Sequence, residues 1–373
     1  MSSRNIKVFY ALLRSGLWEQ AGANFNLDLN DKIDWEEVYQ LAEEQSVIGV
    51  VLAGIEHSYV KPPQELLLQW IGEVQMLEQQ NKSMNQVVGE LVKKMRACDI
   101  YTLLVKGQGV AQCYERPLWR SSGDVDFYLS DTNFEKAKAF FRPLVDSFDP
   151  DTEYAQHINM HYGEWVVELH ANQHCSISAR VNRVMNEIHR DLFYGGNVRS
   201  WKNGNTQVFL PSPDNDVLIV FVHFLNHFYK GGLGVRQICD WCRLLWTFRL
   251  ELDSRLLESR IRKMVLMNVW KAFAAFAVDY LGMPKETMPF YSSDKKWKMK
   301  ADKISSFIIE VGNFGHNRDS SYYDNDSKLL RKTASFGRRC GDMLHHARIF
   351  PLETLRFFPN MVYYGLTAVA KGE

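Results

Sequence analysis

Three carboxylates within short apolar segments are the side chains of this sequence best suited to chemistry. Asp124 and Asp126 flank a single valine at the start of one apolar run, and Glu168 stands alone inside a later one. Because side chains along a β-strand alternate between its two faces, the two aspartates are expected to share one face while their apolar neighbours enter the core. The sequence therefore predicts three carboxylates that leave apolar strands on neighbouring positions.

Such a set suits a two-metal phosphoryl-transfer site. Two carboxylates a few ångströms apart repel each other and favour a divalent cation between them, and Mg²⁺ commonly combines protein carboxylates with substrate phosphates. We therefore predict Asp124, Asp126 and Glu168 as catalytic residues and ligands of Mg²⁺ or Mn²⁺. Glu168 could complete a second metal site or accept a proton from an attacking hydroxyl. Two structural alternatives stay open: the aspartates close a strand at a turn, and Glu168 pairs with a nearby arginine or lysine.

A lysine–glycine turn upstream of the acids could supply the phosphate side. Ile100–Val105 reads as a buried strand, and a helical pattern resumes after Lys106, Gly107 and Gln108. A turn from a strand into a helix offers backbone N–H groups and the positive helix end to an anion. We predict that these three residues bind nucleotide, and an ordinary turn with a solvated lysine is the alternative.

Two arginines are further candidates for nucleotide binding. Arg120, four residues before Asp124, could hold a phosphate or neutralise the acids, and the sequence does not separate these roles. Arg236 could reach a phosphate across a cleft, with Asp240 as its expected partner.

The order of these motifs resembles the nucleotidyltransferase superfamily that includes DNA polymerase beta. The closer resemblance is to a family of uncharacterised bacterial nucleotidyltransferases, and it extends over about residues 30 to 260. It is carried by Asp34-Trp35, Leu41-Ala42, Leu103 to Gly107, Tyr114, Arg120, Gly123 to Asp126 and Val167 to His170, and more loosely by His223, His227, Arg236 and Asp240.

The resemblance implies metal ligation by Asp124 and Asp126, Glu168 as the third acid and Gly107 as the turn glycine. Two features depart from the superfamily pattern. A second small residue usually follows the turn glycine, where this chain has Gln108, and the distance from the turn to the aspartate pair is longer than usual. Both departures concern how a triphosphate can lie against the backbone.

The implied reaction is transfer of a nucleoside monophosphate from a nucleoside triphosphate to a hydroxyl acceptor, with release of pyrophosphate. Superfamily relatives use small molecules, sugars, protein hydroxyls and tRNA ends. Here 44 basic and 44 acidic residues balance, so no global field gathers a long nucleic acid, and a small-molecule or protein acceptor is preferred. A non-catalytic nucleotide-binding or interaction module is the alternative; a metal-dependent hydrolase is less favoured.

Composition predicts a cytoplasmic protein. Six scattered cysteines indicate reduced thiols, and Cys239 and Cys242 are expected as buried helix residues and not as a redox pair. The first 18 residues read as an amphipathic helix, not a signal peptide. No apolar run reaches the roughly 18 residues that a transmembrane segment needs.

The pattern of elements predicts an α+β fold, with a small mixed sheet flanked by helices. Residues 1–97 are expected to be a helical N-terminal region, 98–211 the nucleotidyltransferase core and 212–373 a helical C-terminal region. The predicted elements of the first two regions are a long helix Leu66–Met95, strands Ile100–Val105, Val125–Leu129, Ala155–Met160, Trp165–His170 and Gln207–Leu210, and a helix Asn133–Val145 capped by Asp131 or Thr132.

Five histidines and two late segments complete the predictions. His157, His161 and His170 are expected as core or supporting residues in preference to zinc ligands, and His223 and His227 share one helix face near the site. The polar segment 291–326 reads as a lid or a surface linker. The basic, aromatic segment 329–371 reads as a helical pair packed on the body, with a membrane or partner surface as the alternative.

Overall fold

The computed structural model describes residues 2–18, 33–149, 157–172, 175, 177–230, 232–312, 341 and 343–359. These residues form a mixed sheet with helices on both sides, so the predicted α+β class is confirmed.

Helices occupy the described chain before the first strand. They are α1 (Ser3–Trp18), α2 (Trp35–Glu44), α3 (Ile48–Glu56) and α4 (Gln64–Ala97). The longest of them, α4, extends the predicted helix by two residues at each end.

Strands and helices alternate in the middle of the chain. In order, the elements are β1 (Leu103–Val105), α5 (Gly107–Ala111), a 3₁₀ turn (Pro117–Trp119), β2 (Asp124–Tyr128), α6 (Asp131–Phe141), β3 (His157–Tyr162), β4 (Trp165–His170), α7 (Ala179–Phe193), β5 (Val198–Asn203) and β6 (Thr206–Pro211). The described strands make one six-stranded sheet in the order β3-β4-β2-β1-β6-β5.

The sheet mixes parallel and antiparallel pairs. β2 runs parallel to β4 and antiparallel to β1, and β1 runs parallel to β6. β3 and β5 are the edge strands, each antiparallel to its neighbour. The register of β2 on β4 matters most for function, because it sets Asp126 directly opposite Glu168.

The two faces of the sheet have different partners. Val125 and Phe127 belong to a core that lies against α4 and α6, whereas Tyr128 belongs to the larger core formed with the C-terminal helices. Since Asp124 and Asp126 alternate with Val125 and Phe127 along β2, both carboxylates leave the strand on the side of the C-terminal helices. The expected separation of acids and apolar neighbours is therefore confirmed.

The C-terminal part of the described chain is helical and shares its core with the first helices. Its elements are α8 (Pro213–Lys230), α9 (Val235–Thr247), α10 (Ser254–Met264), α11 (Met267–Asp279) and α12 (Lys295–Val311), and residues 343–349 and 351–359 are helical as well. The Arg14 guanidinium donates to the carbonyl of Asp279 at 2.6 Å, and the Trp18 indole donates to the carbonyl of Leu281 at 2.6 Å. The first described helix and the C-terminal helices thus share one hydrophobic core.

Three local predictions were wrong. The cap of α6 is Ser130, whose hydroxyl accepts from the Asn133 N–H, and α6 ends at Phe141 because Pro143 lacks the N–H that continues a helix. The strand β5 escaped prediction because its alternation is mostly of polar residues, with Trp201 as its large apolar side chain. The segment 291–326, predicted as a lid or a surface linker, contains the helix α12. The apolar stripe of α12, from Trp297 onward, is interrupted by lysines.

Several predictions fall outside or at the edge of the described residues. Residues 313–340, 342 and 360–373, which include most of the basic segment, lie outside them, as do 150–156 at the start of the strand predicted from Ala155. Within the described part, no helix has the length and apolar character that crossing a membrane requires. Cys239 and Cys242 are free and buried in α9, as expected.

We expect Gly54→Ala to destabilise the fold strongly, because α1 and α3 meet backbone to backbone. A Cβ on Gly54 would stand 1.9 Å from the carbonyl oxygen of Leu12, and one on Gly16 would stand 1.8 Å from that of Val50. Overpacking of this kind costs about 1–3 kcal/mol or more of unfolding free energy. Urea denaturation measures the loss.

Gly72→Ala is the matched control. Gly72 lies in the helical interior of α4 with open space around its Cα, so alanine should stabilise the protein by about 0.5–1 kcal/mol. Equal stabilities of the two variants would contradict the close packing of α1 on α3.

Candidate functional site

The three predicted carboxylates converge on one face of the sheet. Asp124 and Asp126 lie two residues apart on β2, and the parallel register pairs Asp126 with Glu168 of β4. One carboxylate oxygen from each residue lies within 4.8 Å of the others. The spacing in the sequence and the strand register together produce this cluster.

The charge of Asp126 acts most strongly on Asp124. That charge, followed by burial, raises the pKa of Asp124, while Lys106 and Arg236 lower it in part. For Glu168, burial raises the pKa, but the hydrogen bond from His170 and the charge of Lys106 outweigh it, so that the pKa is lowered. A further cation would be most favourable next to Asp124.

Lys106 is the cation nearest the cluster. Its Nζ lies 2.5 Å from Asp126 Oδ1, and the two side chains are 12% and 2% exposed. Burial lowers the pKa of Lys106, but the charges of Asp126, Asp124 and Glu168 outweigh burial and raise it. The amine is therefore charged, and it is aimed into the carboxylates and not into solvent.

The turn after β1 aims that lysine. Lys106 and Gly107 have φ of +56° and +36°, and a Cβ at Gly107 would stand 3.4 Å from the carbonyl oxygen of Asp124. A side chain at Gly107 would be strained by the positive φ, whereas its distance from the neighbouring strand is an ordinary van der Waals contact. The turn glycine of the sequence pattern is thus favoured by its backbone conformation.

Gln108 sends its side chain away from the acids. Its Nε2 donates to Asn81 Oδ1 at 2.7 Å and contacts the sulfur of Met84, both on α4. Gln108 is 2% exposed, so a ligand at the acids could meet this residue only through its backbone. Of the nucleotide-binding role predicted for Gln108, only a contact through its backbone is left.

Two histidines lie beside the carboxylates. His170 Nε2 is 2.8 Å from Asp126 Oδ1 and 3.2 Å from Glu168 Oε2. Burial lowers the pKa of His170, and the hydrogen bonds to these two carboxylates outweigh burial and raise it. His157 stacks on His170 with ring centroids 5.2 Å apart, and burial, followed by the charge of His170, lowers its pKa.

Arg120 is held in a buried ion pair. Its Nε and Nη2 donate to the two oxygens of Asp240 at 3.0 and 2.6 Å, and its Nη1 donates to Ser122 Oγ at 2.6 Å. Tyr114 donates its hydroxyl to Asp240 at 2.8 Å. The expectation that Asp240 pairs with Arg236 was wrong, because the bidentate partner of Asp240 is Arg120. Nucleotide binding by Arg120 stays a prediction, and its observed contacts join α9 to the segment before β2.

Arg236 lies within electrostatic reach of both this ion pair and Asp124. Its Nη1 donates to the carbonyl of Ser121 at 2.7 Å, and its buried Nε has no hydrogen-bond partner among the described residues. Burial lowers its pKa and the charge of Arg120 lowers it further, while Asp240 and Asp124 oppose this shift. Arg236 therefore brings an incompletely satisfied cation to the border of the carboxylate cluster.

Asn81 is a supporting residue that sequence reasoning missed. It is fully buried on α4, and its amide donates to the carbonyls of Leu118 at 2.8 Å and Arg120 at 2.9 Å while accepting from Gln108. One side chain thereby fixes both the α5 turn and the segment that leads into β2. The sequence signal that could have identified Asn81 is a polar amide at an apolar position of a long helix.

The helix α8 borders the same cluster. His223 and His227 approach each other with their Nε2 atoms 3.1 Å apart, and burial, followed by the charge of Lys106, lowers the pKa of His223. The effect of the Lys106 charge on His223 is consistent with the expected position of this helix face near the site. The site therefore lies between the sheet and α8 and α9.

A family model described as an uncharacterised nucleotidyltransferase matches residues 31–282 of the chain. The match covers all of the side chains described above. No curated protein and no solved structure was found to match.

We expect Asp240→Asn to cost about 3–5 kcal/mol of unfolding free energy, because it leaves Arg120 charged and buried without its carboxylate. Tyr114→Phe is the matched control. It removes one hydrogen bond from the same carboxylate and should cost about 1 kcal/mol. Chemical denaturation measures both, and a loss for Asp240→Asn no larger than that for Tyr114→Phe would contradict the structural role of the ion pair.

Proposed function

This chain belongs to the uncharacterised nucleotidyltransferase family, and on that premise we propose that it transfers a nucleoside monophosphate from a nucleoside triphosphate to a hydroxyl acceptor. The acceptor oxygen attacks the α-phosphorus, the bond between the α-phosphorus and its bridging oxygen to the β-phosphate breaks, and pyrophosphate leaves. The convergence of Asp124, Asp126 and Glu168 is the observation that carries this proposal.

The donor atoms of the cluster fit a hard divalent cation. Three carboxylates within 4.8 Å of one another offer oxygen ligands alone, which suits Mg²⁺ or Mn²⁺. Such an ion, held by Asp124, Asp126 and Glu168, would supply charge neutralisation at the phosphates. The raised pKa of Asp124 supports this assignment, since its main cause is the negative charge of Asp126.

Glu168 has two candidate roles, as the third metal ligand or as the base that accepts the hydroxyl proton. In the second role, the proton passes from the acceptor oxygen to a Glu168 carboxylate oxygen as the new O–P bond forms. The lowered pKa of Glu168 keeps it ionised in either role.

The cationic side chains next to the acids would receive the triphosphate. Lys106 has a charged amine at the cluster, and Arg236 has a donor with no partner among the described residues. Triphosphate oxygens would compete with Asp126 for the amine of Lys106. Gly107, together with the backbone of Gln108, would form the phosphate-facing turn, and Arg120 would act through the position of α9 and the segment before β2.

A small molecule or a protein is the preferred acceptor. The balance of 44 basic and 44 acidic residues provides no net field that would collect a long polyanion. A protein hydroxyl, including one on this chain, would be detected as a mass increase of one nucleotide.

A non-catalytic nucleotide-binding module is the rival function, and Gln108 at the second turn position motivated it. The burial of the Gln108 side chain against α4 weakens that motive, because the side chain does not stand between the turn and the acids. Triphosphate binding without release of pyrophosphate would favour the module.

We expect Asp124→Asn and Asp126→Asn to reduce metal-dependent pyrophosphate release by at least about a thousandfold, because each removes a ligand of the proposed ion. Release is measured from each of the four nucleoside triphosphates with Mg²⁺ or Mn²⁺, with the intact protein mass recorded afterwards. Circular dichroism checks the fold.

Glu168→Gln and Glu164→Gln form a matched pair in the same hairpin. Glu168 lies in the carboxylate cluster and Glu164 is exposed at the turn, so only the first substitution should abolish release. Undiminished turnover in Asp126→Asn would refute the catalytic assignment.

Binding of the triphosphate tests the cationic side separately. We expect Arg236→Gln to weaken binding of a non-hydrolysable nucleoside triphosphate about 10- to 100-fold, because the substitution removes a charge-assisted hydrogen bond. Arg262→Gln removes the same charge from an exposed pair with Glu258 and should leave binding unchanged. Calorimetric titration provides both values, and equal affinities would place the triphosphate elsewhere.

A further inference from the structure

A second group of ligand-bearing side chains lies next to the carboxylate cluster. His157 of β3 is the cross-strand partner of His170 of β4, and Glu168 stands two residues before His170 on the same strand. These three side chains leave the sheet on one face because of strand alternation. One potential ligand atom from each lies within 4.8 Å of the others.

The ligand chemistry of this group differs from that of the three carboxylates. Two imidazoles and one carboxylate make a nitrogen–oxygen set, which borderline ions such as Zn²⁺, Co²⁺ and Mn²⁺ accept and which Mg²⁺ disfavours. The separation of 3.2 Å between His170 Nε2 and Glu168 Oε2 is close to the roughly 3.4 Å between two ligands of one tetrahedral ion with bonds of about 2.1 Å.

The histidines and Lys106 come from strands on opposite sides of β2. Along the strand order β3-β4-β2-β1, His157 lies at the edge, Glu168 and His170 follow, and the aspartates come next. Lys106, whose amine contacts Asp126, follows β1 on the far side of β2. The ring planes of the two histidines lie 13° from parallel, as cross-strand neighbours on one sheet face allow.

We propose that His157, Glu168 and His170 bind a divalent transition-metal ion of the Zn²⁺ class, next to the oxygen-only site of the aspartates. Glu168 belongs to both groups and would bridge the two ions. The bridging rests on the proposed function, whereas the nitrogen-containing site does not require it. His170 Nε2, which contacts Asp126 in this structure, would exchange that hydrogen bond for the ion, because a coordinated ring nitrogen has no proton to donate.

Co²⁺ is the probe, because its visible absorption reports coordination by nitrogen and a low coordination number. The full-length protein, freed of metal by chelator, is titrated with Co²⁺ in the presence of excess Mg²⁺, which fills oxygen-only sites. We expect one equivalent to bind with an intense visible spectrum, and Zn²⁺ to displace it.

Four variants assign the site. His157→Ala and His157→Gln should weaken Co²⁺ binding by more than about tenfold, since even supporting groups of metal sites contribute that much. His161→Ala, on the same strand but exposed, should bind as the wild type does. Asp124→Asn should retain the Co²⁺ spectrum, because Asp124 belongs only to the oxygen set.

The proposal is overturned by a wild-type protein without the spectrum, by His157 variants that keep it, or by loss of the spectrum in Asp124→Asn. Failure of nucleotidyl transfer leaves the titration unaffected, because no nucleotide is present in it. Conversely, pyrophosphate release with no Co²⁺ spectrum would retain the proposed function and reject the second site.

Discussion

Repulsion among Asp124, Asp126 and Glu168 is the constraint on which the rest of this site depends. Strand alternation and the register of β2 on β4 place three negative charges on one face of the sheet, and burial makes their repulsion stronger than in water. The chain offsets this with Lys106, delivered by a strained turn, and with His170, which contacts two of the three acids. The same concentration of negative charge is what the proposed divalent cation would neutralise.

The segments around the three carboxylates come from distant parts of the chain, and buried polar side chains join these segments to one another. Arg120 and Asp240 join the segment before β2 to α9, and Asn81 of α4 fixes the backbone on both sides of the same segment. Arg236 lies on α9 as well, so the Arg120–Asp240 pair also sets the distance of Arg236 from the acids. The carboxylates are thus held by the sheet and Arg236 by a packed helix, so that both parts of the site have fixed positions.

Sequence patterns were sufficient at β2 and at the turn after β1, where the determining interactions are local. Alternation identified the acid face of β2, and the lysine–glycine turn preceded the helix as expected. Contacts between distant residues were beyond such patterns: the separation of 120 residues hides Asp240 as the partner of Arg120, and nothing local indicates that Gln108 turns toward α4. The helix α12 was missed for another reason, since long lysine side chains interrupt its apolar stripe while the helix still packs.

The packing of α1 against α11 and α12 has a consequence for biosynthesis. The hydroxyl of Tyr10 on α1 accepts from Ser305 on α12, and Arg14 and Trp18 bond to carbonyls just after α11. A ribosome therefore releases the apolar face of α1 long before α11 and α12, and the larger core closes only after these helices have been synthesised. Until then α1 can bury its apolar face against α3, which is close to it in sequence and in space. The close backbone contact between Gly16 and Gly54 can form at that early stage.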